Sequence, residues 1–279
     1  MAPPNALAFT YLFVPGNRPE RFDKALASGA DRIILDLEDA VSPAEKSIAR
    51  EAVAQWLAQT PSDRSRLLVR VNDVTTDWFA SDLAMLRGNQ PCGVMLSKCE
   101  SAEQVSAVRG AMAAEAELVA LIETAKGIAK VHSIAESRDV SRLALGVLDL
   151  MVDLDVPADS ETLRYASSQM VIASRAAGLP QPIAGVTPAI EEHQVASDMR
   201  AALAQGFGAK MCIHPQQLEP VRAALQPTLT DADWARRILQ AWQDSLATGA
   251  AIGAIQVDGK MVDRPVVLRA ERLIARIAS

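Results

Sequence analysis

Acidic residues follow apolar runs at three places in this sequence. Three of them stand together in "RIILDLEDAV" and two stand alone; they are Asp36, Glu38, Asp39, Glu123 and Asp149. No histidine lies beside the two isolated carboxylates, and carboxylate oxygens of this kind suit Mg²⁺ or Mn²⁺. The pattern predicts a divalent-cation site at Glu123 and Asp149. We expect the cluster at residues 36–39 to orient the metal-bound waters or to hold a neighbouring cationic side chain.

Each of these acids also has a structural interpretation, because a single Asp or Glu after a strand is most often the N-cap of the next helix. Two details weigh against caps. Glu123 is followed by Thr124, which could serve as the cap instead. Asp149 lies inside the apolar octet "LALGVLDL", where a charge is costly unless it is paired or bound to a metal. Taken together, the acids favour the metal site.

Arg70 stands in "VRVN" among apolar neighbours, so its buried guanidinium must find an anion. One interpretation is a structural ion pair with "DLED", since arginine often serves buried pairs. The other is a donor to a substrate carboxylate or to a developing enolate oxygen. Both can hold, one in the unliganded and one in the liganded protein.

The histidines and cysteines give no metal, disulfide or nucleophile signal. The histidines are too dispersed for a metal triad, and we expect the last of them to be a structural hydrogen-bonding residue at a strand end; they are His132, His193 and His214. The three cysteines have no CxxC spacing and are expected to be reduced packing residues; they are Cys92, Cys99 and Cys212. No GxSxG, P-loop or GxGxxG motif is present.

Eight apolar, β-branched runs recur along the chain, each followed by a longer amphipathic segment. The runs are "FTYLFVPG", "RIILDLED", "RLLVRVN", "GVMLSK", "LVALIET", "LALGVLDL", "PIAGV" and "AKMCIHP". Near-continuous apolarity is typical of strands covered on both faces, and strand-helix alternation indicates a parallel sheet. Eight such units predict a (β/α)₈ TIM barrel, with a doubly wound sheet as the alternative. In a barrel the polar strand ends converge on one mouth.

The pattern changes after the eighth run. A long helix is predicted over residues 230–249, followed by a short β-like piece with an Asp-Gly turn and a last helix. We therefore divide the chain into a catalytic barrel, residues 1–225, and a small C-terminal helical extension, residues 226–279. The extension is expected to pack on the barrel or on a neighbouring subunit.

Composition narrows the classes of partner. The 279 residues are 49% hydrophobic and carry a formal net charge of −6 without a Lys/Arg cluster, so neither nucleic acid nor an anionic membrane surface is an expected partner. The N-terminal residues lack the basic and apolar regions of a signal peptide, and no apolar run approaches the roughly 20 residues of a membrane span. We expect a cytoplasmic protein that binds a small molecule.

Six motifs, in this order and spacing, carry a family resemblance. They are "LFVPGNR", "DLEDAV", "VRVN", "LIETAKG", "GFGAKMCIHPQQ" and "DGKMVDRPVV". From about residue 10 to 275 the chain resembles the citrate lyase β-subunit-like branch of the HpcH/HpaI aldolase superfamily, together with malyl-CoA and citramalyl-CoA lyases. The resemblance implies a Mg²⁺-dependent carbon-carbon lyase on a (β/α)₈ barrel, acting on a β-hydroxyacyl thioester and assembled as a homotrimer or hexamer.

The resemblance also implies roles for particular residues. Glu123 and Asp149 match the metal-binding carboxylates, Arg70 the substrate-binding arginine, and Asp263 the acid/base aspartate that the C-terminal segment often presents to an adjacent subunit. The positions implied for coenzyme A are Phe13 and Lys24, with Arg18 and Arg21 as phosphate partners. Taken without the resemblance, Asp263 would be an exposed turn residue.

Two segments depart from the family pattern. Val147 and Leu148 precede Asp149 where relatives usually have an acid, and "AGVTPAIEEHQ" lacks an Asn/Asp-rich segment. The expected reaction gives acetyl-CoA with pyruvate or glyoxylate. Alternatives are malate-synthase or malyl-CoA thioesterase activity, a citrate lyase β-subunit acting on a carrier-protein-bound citryl group, and a non-catalytic metal- or CoA-binding scaffold.

Overall fold

The structure is a computed structural model that describes residues 8–59, 64–89, 91, 93–247 and 253–277. It divides into two compact units, residues 1–222 and 223–279. The predicted boundary at 225/226, and the packing of the C-terminal extension on a neighbouring subunit, stay predictions. Within the described residues, no helix has both the length and the apolar character required to cross a bilayer.

Eight parallel strands close the first unit into a barrel in chain order, with β8 paired to β1. The strands are β1 Thr10–Pro15, β2 Arg32–Asp36, β3 Leu67–Val71, β4 Gly93–Leu96, β5 Glu117–Ile122, β6 Arg142–Leu145, β7 Ile183–Ala184 and β8 Ala209–Cys212. The predicted (β/α)₈ barrel is confirmed, because each apolar run contributes a strand that is buried on both faces.

The connecting helices follow the strands as the sequence predicts. They are α1 Phe22–Leu26, α2 Lys46–Gln59, α3 Phe79–Asn89, α4 Ala102–Arg109, α5 Ala125–Ala129, α6 Val131–Ala135, α7 Val147–Leu154, α8 Glu161–Ala176, α9 Glu192–Gln205 and α10 Leu218–Leu225. Short 3₁₀ turns occupy Pro19–Arg21, Pro43–Glu45, Arg64–Arg66 and Pro215–Gln217. Ser101 caps α4 and Thr124 caps α5, each by accepting a backbone N–H with its side-chain oxygen.

The barrel interior is filled by inward-facing side chains of alternate strand positions. They are Tyr11, Ile34, Leu68, Met95, Val119, Leu121, Ala144, Ile183, Ala209 and Met211, with Phe13 and Val186 packed against them. This packed interior leaves the polar strand ends as the place where a ligand can approach. Cys99 and Cys212 are free and buried, which confirms the packing role expected for them, and burial raises the pKa of each thiol to about 12. Cys92 lies outside the described residues.

One strand prediction is wrong in a way that matters for the site. The octet at residues 143–150 is not a single strand, because β6 ends at Leu145 and α7 begins at Val147. An apolar run cannot separate a buried strand from a buried helix by periodicity alone. Asp149 therefore lies in the first turn of α7 and is partly exposed, instead of standing inside a buried strand.

The described residues of the second unit form, after the end of α10, two helices and a hairpin. Helix α11, Leu229–Ala247, precedes the antiparallel strands β9 Ala254–Val257 and β10 Lys260–Asp263, and α12 spans Arg264–Ile277. Asp258 and Gly259 form the predicted Asp-Gly turn, with φ of 51° and 75°. The long helix is confirmed up to residue 247, and residues 248–252 lie outside the described residues.

Candidate metal and substrate site

Arg70 is held at the barrel mouth by the acids that follow β2. Arg70 pairs in register with Asp36 on the neighbouring strand. Its Nε and Nη2 donate to the two carboxylate oxygens of Asp36 at 2.7 and 2.6 Å, and Nη1 lies 3.0 Å from Glu38 Oε2 and 3.6 Å from Asp39 Oδ2. The ion pair expected for Arg70 is confirmed. Burial opposes the charge, but Asp36 and Glu38 raise the pKa of Arg70, so the guanidinium stays protonated.

Glu38 joins Arg70 to a second cation. Its Oε1 accepts a hydrogen bond from Lys98 Nζ at 2.5 Å, while its Oε2 faces Arg70. Burial lowers the pKa of Lys98, but the hydrogen bond and charge of Glu38 outweigh that effect and raise it. Asp39 is half exposed at the rim, 3.8 Å from Lys98 Nζ. The cluster at residues 36–39 therefore holds two fixed positive charges at the barrel mouth.

The backbone of this cluster rests on Lys46, a residue to which sequence reasoning gives no role. Lys46 is the first residue of α2, and its buried Nζ donates to the carbonyl oxygens of Leu37 and Glu38 at 2.8 and 2.7 Å. The same Nζ lies 5.2 Å from the centre of the Trp78 ring. In an amphipathic helix pattern a lysine normally indicates the solvent face, so no sequence signal identifies this one.

Glu123 follows β5 and is buried, 1% exposed. Its Oε1 accepts a hydrogen bond from the backbone N–H of Lys98 at 2.9 Å, and no hydrogen bond to Oε2 is found within the described residues. The pKa of Glu123 is raised to about 8, chiefly by burial; the charges of Glu38 and Asp149 add to the rise, whereas Arg70 and the Lys98 N–H oppose it. The carboxylate therefore lacks sufficient positive charge around it when nothing is bound.

Glu123 and Asp149 fit a Mg²⁺ ion by the chemistry of their oxygens. Mg²⁺ binds through one or two carboxylates and keeps several waters. The charge of a divalent cation would also compensate the negative charge of the buried Glu123 carboxylate. Among the described residues, no group of three or more His, Cys, Asp and Glu is arranged to hold a metal ion. These two carboxylates would leave the remaining coordination positions to water or to a chelating substrate.

Gly146 makes room for Glu123. A Cβ added at Gly146 would lie 2.2 Å from Glu123 Oε2 and 2.5 Å from Glu123 Cβ. We therefore expect Gly146→Ala to displace the Glu123 carboxylate and to weaken Mg²⁺ binding by roughly tenfold or more, measured by calorimetric titration. The matched control is Gly88→Ala on the exposed surface of α3, where an added Cβ meets nothing within 4 Å. Wild-type Mg²⁺ affinity in a folded Gly146→Ala variant would contradict this placement of Glu123.

The raised pKa of Glu123 predicts a pH dependence of the metal-free protein. Between the ordinary pKa of a glutamate, 4.5, and about 8, the folded state binds more protons at this group than the unfolded state does. Its contribution to stability is thus complete below about pH 4.5 and is lost as pH rises through 8. In EDTA, the unfolding free energy of the wild type relative to Glu123→Gln should fall with pH by up to about 1.4 kcal/mol per unit. Urea titrations at several pH values measure it, and a flat difference would contradict it.

The four positions implied for coenzyme A have different surroundings in the structure. Phe13 faces the barrel interior, with its ring centre 4.7 Å from the Arg70 guanidinium carbon, so it belongs to the Arg70 site. The other three are exposed on the segment that follows β1; they are Arg18, Arg21 and Lys24. Their position at the C-terminal end of a strand is on the side where barrel ligands bind. Their contact with coenzyme A stays a prediction.

A cavity of about 510 Å³ lies beside the cluster at residues 36–39. It is formed by the segments after β2, β3 and β4, and Glu38 and Lys98 contribute to its lining. Polar residues of the remaining wall include Asn72, whose backbone N–H and side-chain amide both donate to buried Asp82, at 2.9 and 2.7 Å. The cavity is large enough for part of a ligand that reaches the Arg70 site from outside the barrel.

The segments after β7 and β8 are joined by one buried amide. Gln217 accepts the Ile213 N–H at 2.8 Å and donates to the carbonyl oxygens of Thr187 and Ala189 at 2.8 and 2.7 Å. His214 Nδ1 accepts the N–H of Gln216 at 3.2 Å, which confirms the structural role expected for this histidine. These contacts fix the mouth of the barrel on the side of "AGVTPAIEEHQ".

Asp263 ends β10 in the second unit and is partly exposed. Its Oδ1 accepts the backbone N–H of Val266 at 3.3 Å, so the carboxylate caps the first turn of α12. This bond occupies one carboxylate oxygen only. Its predicted acid/base role stays a prediction.

Comparison with known proteins agrees with this barrel and these motifs. The family model described as HpcH/HpaI aldolase/citrate lyase matches residues 10–215. A citrate lyase subunit beta-like protein from Mycobacterium tuberculosis is 36% identical, covering 95% of this chain and 94% of that protein. A (3S)-malyl-CoA thioesterase from Cereibacter sphaeroides is 30% identical, covering 95% and 93%.

A solved structure covers almost the whole chain. The crystal structure of protein CitE from Mycobacterium tuberculosis in complex with magnesium, acetoacetate and coenzyme A has a TM-score of 0.86 and 35% identity, and covers 98% of this chain and 99% of that one. The family match spans the barrel strands and the acids that end them. The chain belongs to the HpcH/HpaI aldolase/citrate lyase family.

Proposed function

We propose that this protein is a Mg²⁺-dependent carbon-carbon lyase that cleaves a β-hydroxyacyl-CoA thioester of the citramalyl-CoA or malyl-CoA type. The products are acetyl-CoA and a 2-oxoacid, pyruvate or glyoxylate, and the reverse reaction is a Claisen-type condensation. The observation that carries the proposal is the buried Glu123 carboxylate, whose Oε2 receives no hydrogen bond within the described residues, at the same barrel mouth as the fixed Arg70 cation. The magnesium and coenzyme A bound by the related CitE protein support it.

The proposed metal ligands are Glu123 and Asp149. A divalent cation bound there would polarise the oxygens of a 2-oxo or 2-hydroxy carboxylate and balance their negative charge. Glu123 is held for this purpose by the N–H of Lys98, and Gly146 leaves the space beside it open. The partly exposed side chain of Asp149, in the first turn of α7, can reach a ligand at the mouth without being buried as a bare charge.

Arg70 supplies fixed donors to the reacting oxygens. Asp36 binds one edge of its guanidinium, through Nε and Nη2, and Glu38 lies beside Nη1, so the remaining N–H groups on Nη1 and Nη2 can face a substrate carboxylate or a thioester enolate oxygen. Because Arg70 keeps its proton, it stabilises negative charge by hydrogen bonding and does not act as an acid. Phe13 supports the face of the guanidinium and limits its movement.

Asp263 is the proposed acid/base group, acting from a neighbouring subunit of a homotrimer or hexamer. In cleavage its carboxylate takes the proton of the substrate hydroxyl, whose carbon becomes the carbonyl carbon of the 2-oxoacid. The bond from that carbon to the thioester α-carbon then breaks, and its electron pair forms the thioester enolate. The protonated Asp263 returns the proton to the α-carbon, which gives acetyl-CoA and closes the proton balance.

Hydrolysis of the thioester after the same enolate chemistry is the second candidate, favoured by the 30% identity to the (3S)-malyl-CoA thioesterase. A carrier-protein-bound citryl substrate is a third, because the citrate lyase subunit beta-like relative is 36% identical. Product analysis separates them. From malyl-CoA, a lyase forms acetyl-CoA and glyoxylate, whereas a thioesterase forms free malate and coenzyme A. A carrier-dependent enzyme converts neither malyl-CoA nor citramalyl-CoA. Free malate as the main product would replace the lyase proposal.

A further inference from the structure

Lys98 has a backbone conformation that lysine rarely adopts. Within the described residues, the non-glycine residues with positive φ are Lys98, at 46°, and two aspartates. Asp155 ends α7 and Asp258 lies in the hairpin turn, places where a left-handed residue is common. Lys98 follows β4 at the barrel mouth, where neither a helix end nor a hairpin requires this conformation. Such outliers persist where surrounding contacts hold them, and they concentrate at functional sites.

The left-handed turn directs the Lys98 backbone towards Glu123. Its N–H donates to Glu123 Oε1 at 2.9 Å, and the next N–H, of Cys99, returns to the β5 carbonyl of Leu121 at 2.9 Å. The pairing of β4 with β5 ends at Leu96, so Ser97 and Lys98 form a turn before the Cys99 N–H bonds to β5 again. Within this turn, Lys98 supplies the hydrogen bond that the Glu123 carboxylate receives.

The side chain of the same residue reaches the other half of the site. Lys98 Nζ lies 2.5 Å from Glu38 Oε1, and Glu38 Oε2 lies 3.0 Å from Arg70 Nη1. Glu38 is buried, so without Lys98 its second oxygen would lose its charged partner and the carboxylate would be drawn towards Arg70. Lys98 thus connects Glu123 through its backbone and Arg70 through Glu38.

We infer that Lys98 is a positioning residue with two separable tasks. Its left-handed backbone aims the N–H that orients Glu123 for the metal, and its ammonium fixes Glu38 and thereby the direction of the Arg70 guanidinium. This inference rests on the proposed function of the site. The backbone conformation of Lys98 then controls metal binding through Glu123, and the charge of its side chain controls substrate binding through Glu38 and Arg70.

Three substitutions separate the tasks. Lys98→Gly keeps the left-handed backbone and removes the ammonium; Lys98→Val removes the ammonium and disfavours positive φ; Lys98→Arg keeps a cation. Mn²⁺ binding without substrate is followed by electron paramagnetic resonance. We expect Lys98→Gly and Lys98→Arg to bind within about threefold of the wild type and Lys98→Val about 10- to 100-fold more weakly. If Lys98→Val does not fold, Lys98→Ala takes its place with a smaller expected loss.

Turnover tests the side-chain task. Lys98→Gly should lose about 10- to 100-fold in kcat/KM with Mn²⁺ affinity retained, and Lys98→Arg should recover most of that loss. Equal Mn²⁺ affinity of the glycine and valine variants would overturn the backbone task, and wild-type kcat/KM in Lys98→Gly would overturn the ammonium task. If the wild type binds Mn²⁺ but cleaves neither citramalyl-CoA nor malyl-CoA, the result contradicts the proposed function and not the role of Lys98. The Mn²⁺ ranking, and pyruvate binding to the Mn²⁺-loaded variants, then decide the role of Lys98.

Discussion

Glu123→Gln is expected to abolish both Mg²⁺-dependent activity and Mg²⁺ binding. The amide keeps the shape of the side chain and can still accept the Lys98 N–H, but it carries no charge for a metal ion and places an N–H₂ group on one side. In this variant Asp149 is the remaining carboxylate of the proposed metal site. Because its side chain is partly exposed, it cannot replace the buried Glu123 carboxylate as the main ligand. We expect no Mg²⁺ binding at millimolar concentrations by calorimetry and a loss of at least about 10³ in kcat/KM.

The control for this variant is Glu103→Gln, an exposed glutamate on α4. It removes the same charge from the same barrel, so its activity and Mg²⁺ affinity should equal those of the wild type. Retention of both Mg²⁺ dependence and activity in Glu123→Gln would remove Glu123 from the metal site.

Asp263→Asn is expected to lower turnover by roughly 10² or more while Mg²⁺ and acetyl-CoA still bind with wild-type affinity. The asparagine Oδ1 can still accept the Val266 N–H, so the start of α12 is kept and only the ability to carry a proton is lost. Asp258→Asn is the matched control in the same hairpin, since asparagine also tolerates its positive φ. Wild-type kcat in folded Asp263→Asn would exclude the aspartate as the acid/base group.

A mixture of the two inactive variants tests whether Asp263 serves a neighbouring subunit. If it does, exchange of subunits between Glu123→Gln and Asp263→Asn preparations creates sites with an intact metal half and an intact Asp263. Activity should then reappear. No recovery, with subunit exchange verified by native mass spectrometry, would mean that Asp263 acts on its own chain.

The barrel could be predicted because each strand is covered on both faces and is therefore an apolar run in the sequence. The same logic offered an ion pair between Arg70 and the acids of "DLED", since parallel strands bring their carboxyl ends to one mouth, and in the structure Arg70 pairs in register with Asp36. It failed at residues 143–150, where strand β6 and helix α7 are both apolar and only Gly146 separates them. A pattern of hydrophobicity contains no information on where a buried strand turns into a buried helix.

The details that give the site its electrostatics are tertiary and could not be predicted. Lys46 is buried and Lys98 has a positive φ because of neighbours that are distant in sequence. A lysine in a sequence usually indicates a solvent-exposed position, so neither feature could be predicted. The pKa of Glu123 is raised chiefly by burial and further by Glu38 and Asp149, against the opposing charge of Arg70, and these three groups come from other segments of the chain. Sequence reasoning identified the charged groups of the mouth but not which of them lacks a sufficient counter-charge.

The most direct test of the lyase assignment is mass-spectrometric analysis of products after the purified protein is incubated with citramalyl-CoA and with malyl-CoA, each with Mg²⁺ and with EDTA. The structure and its relatives lead us to expect acetyl-CoA together with pyruvate or glyoxylate, formed with Mg²⁺ and absent with EDTA. Formation of these products at the same rate in EDTA, or intact thioesters in the presence of Mg²⁺, would contradict a metal-dependent lyase centred on Glu123 and Arg70.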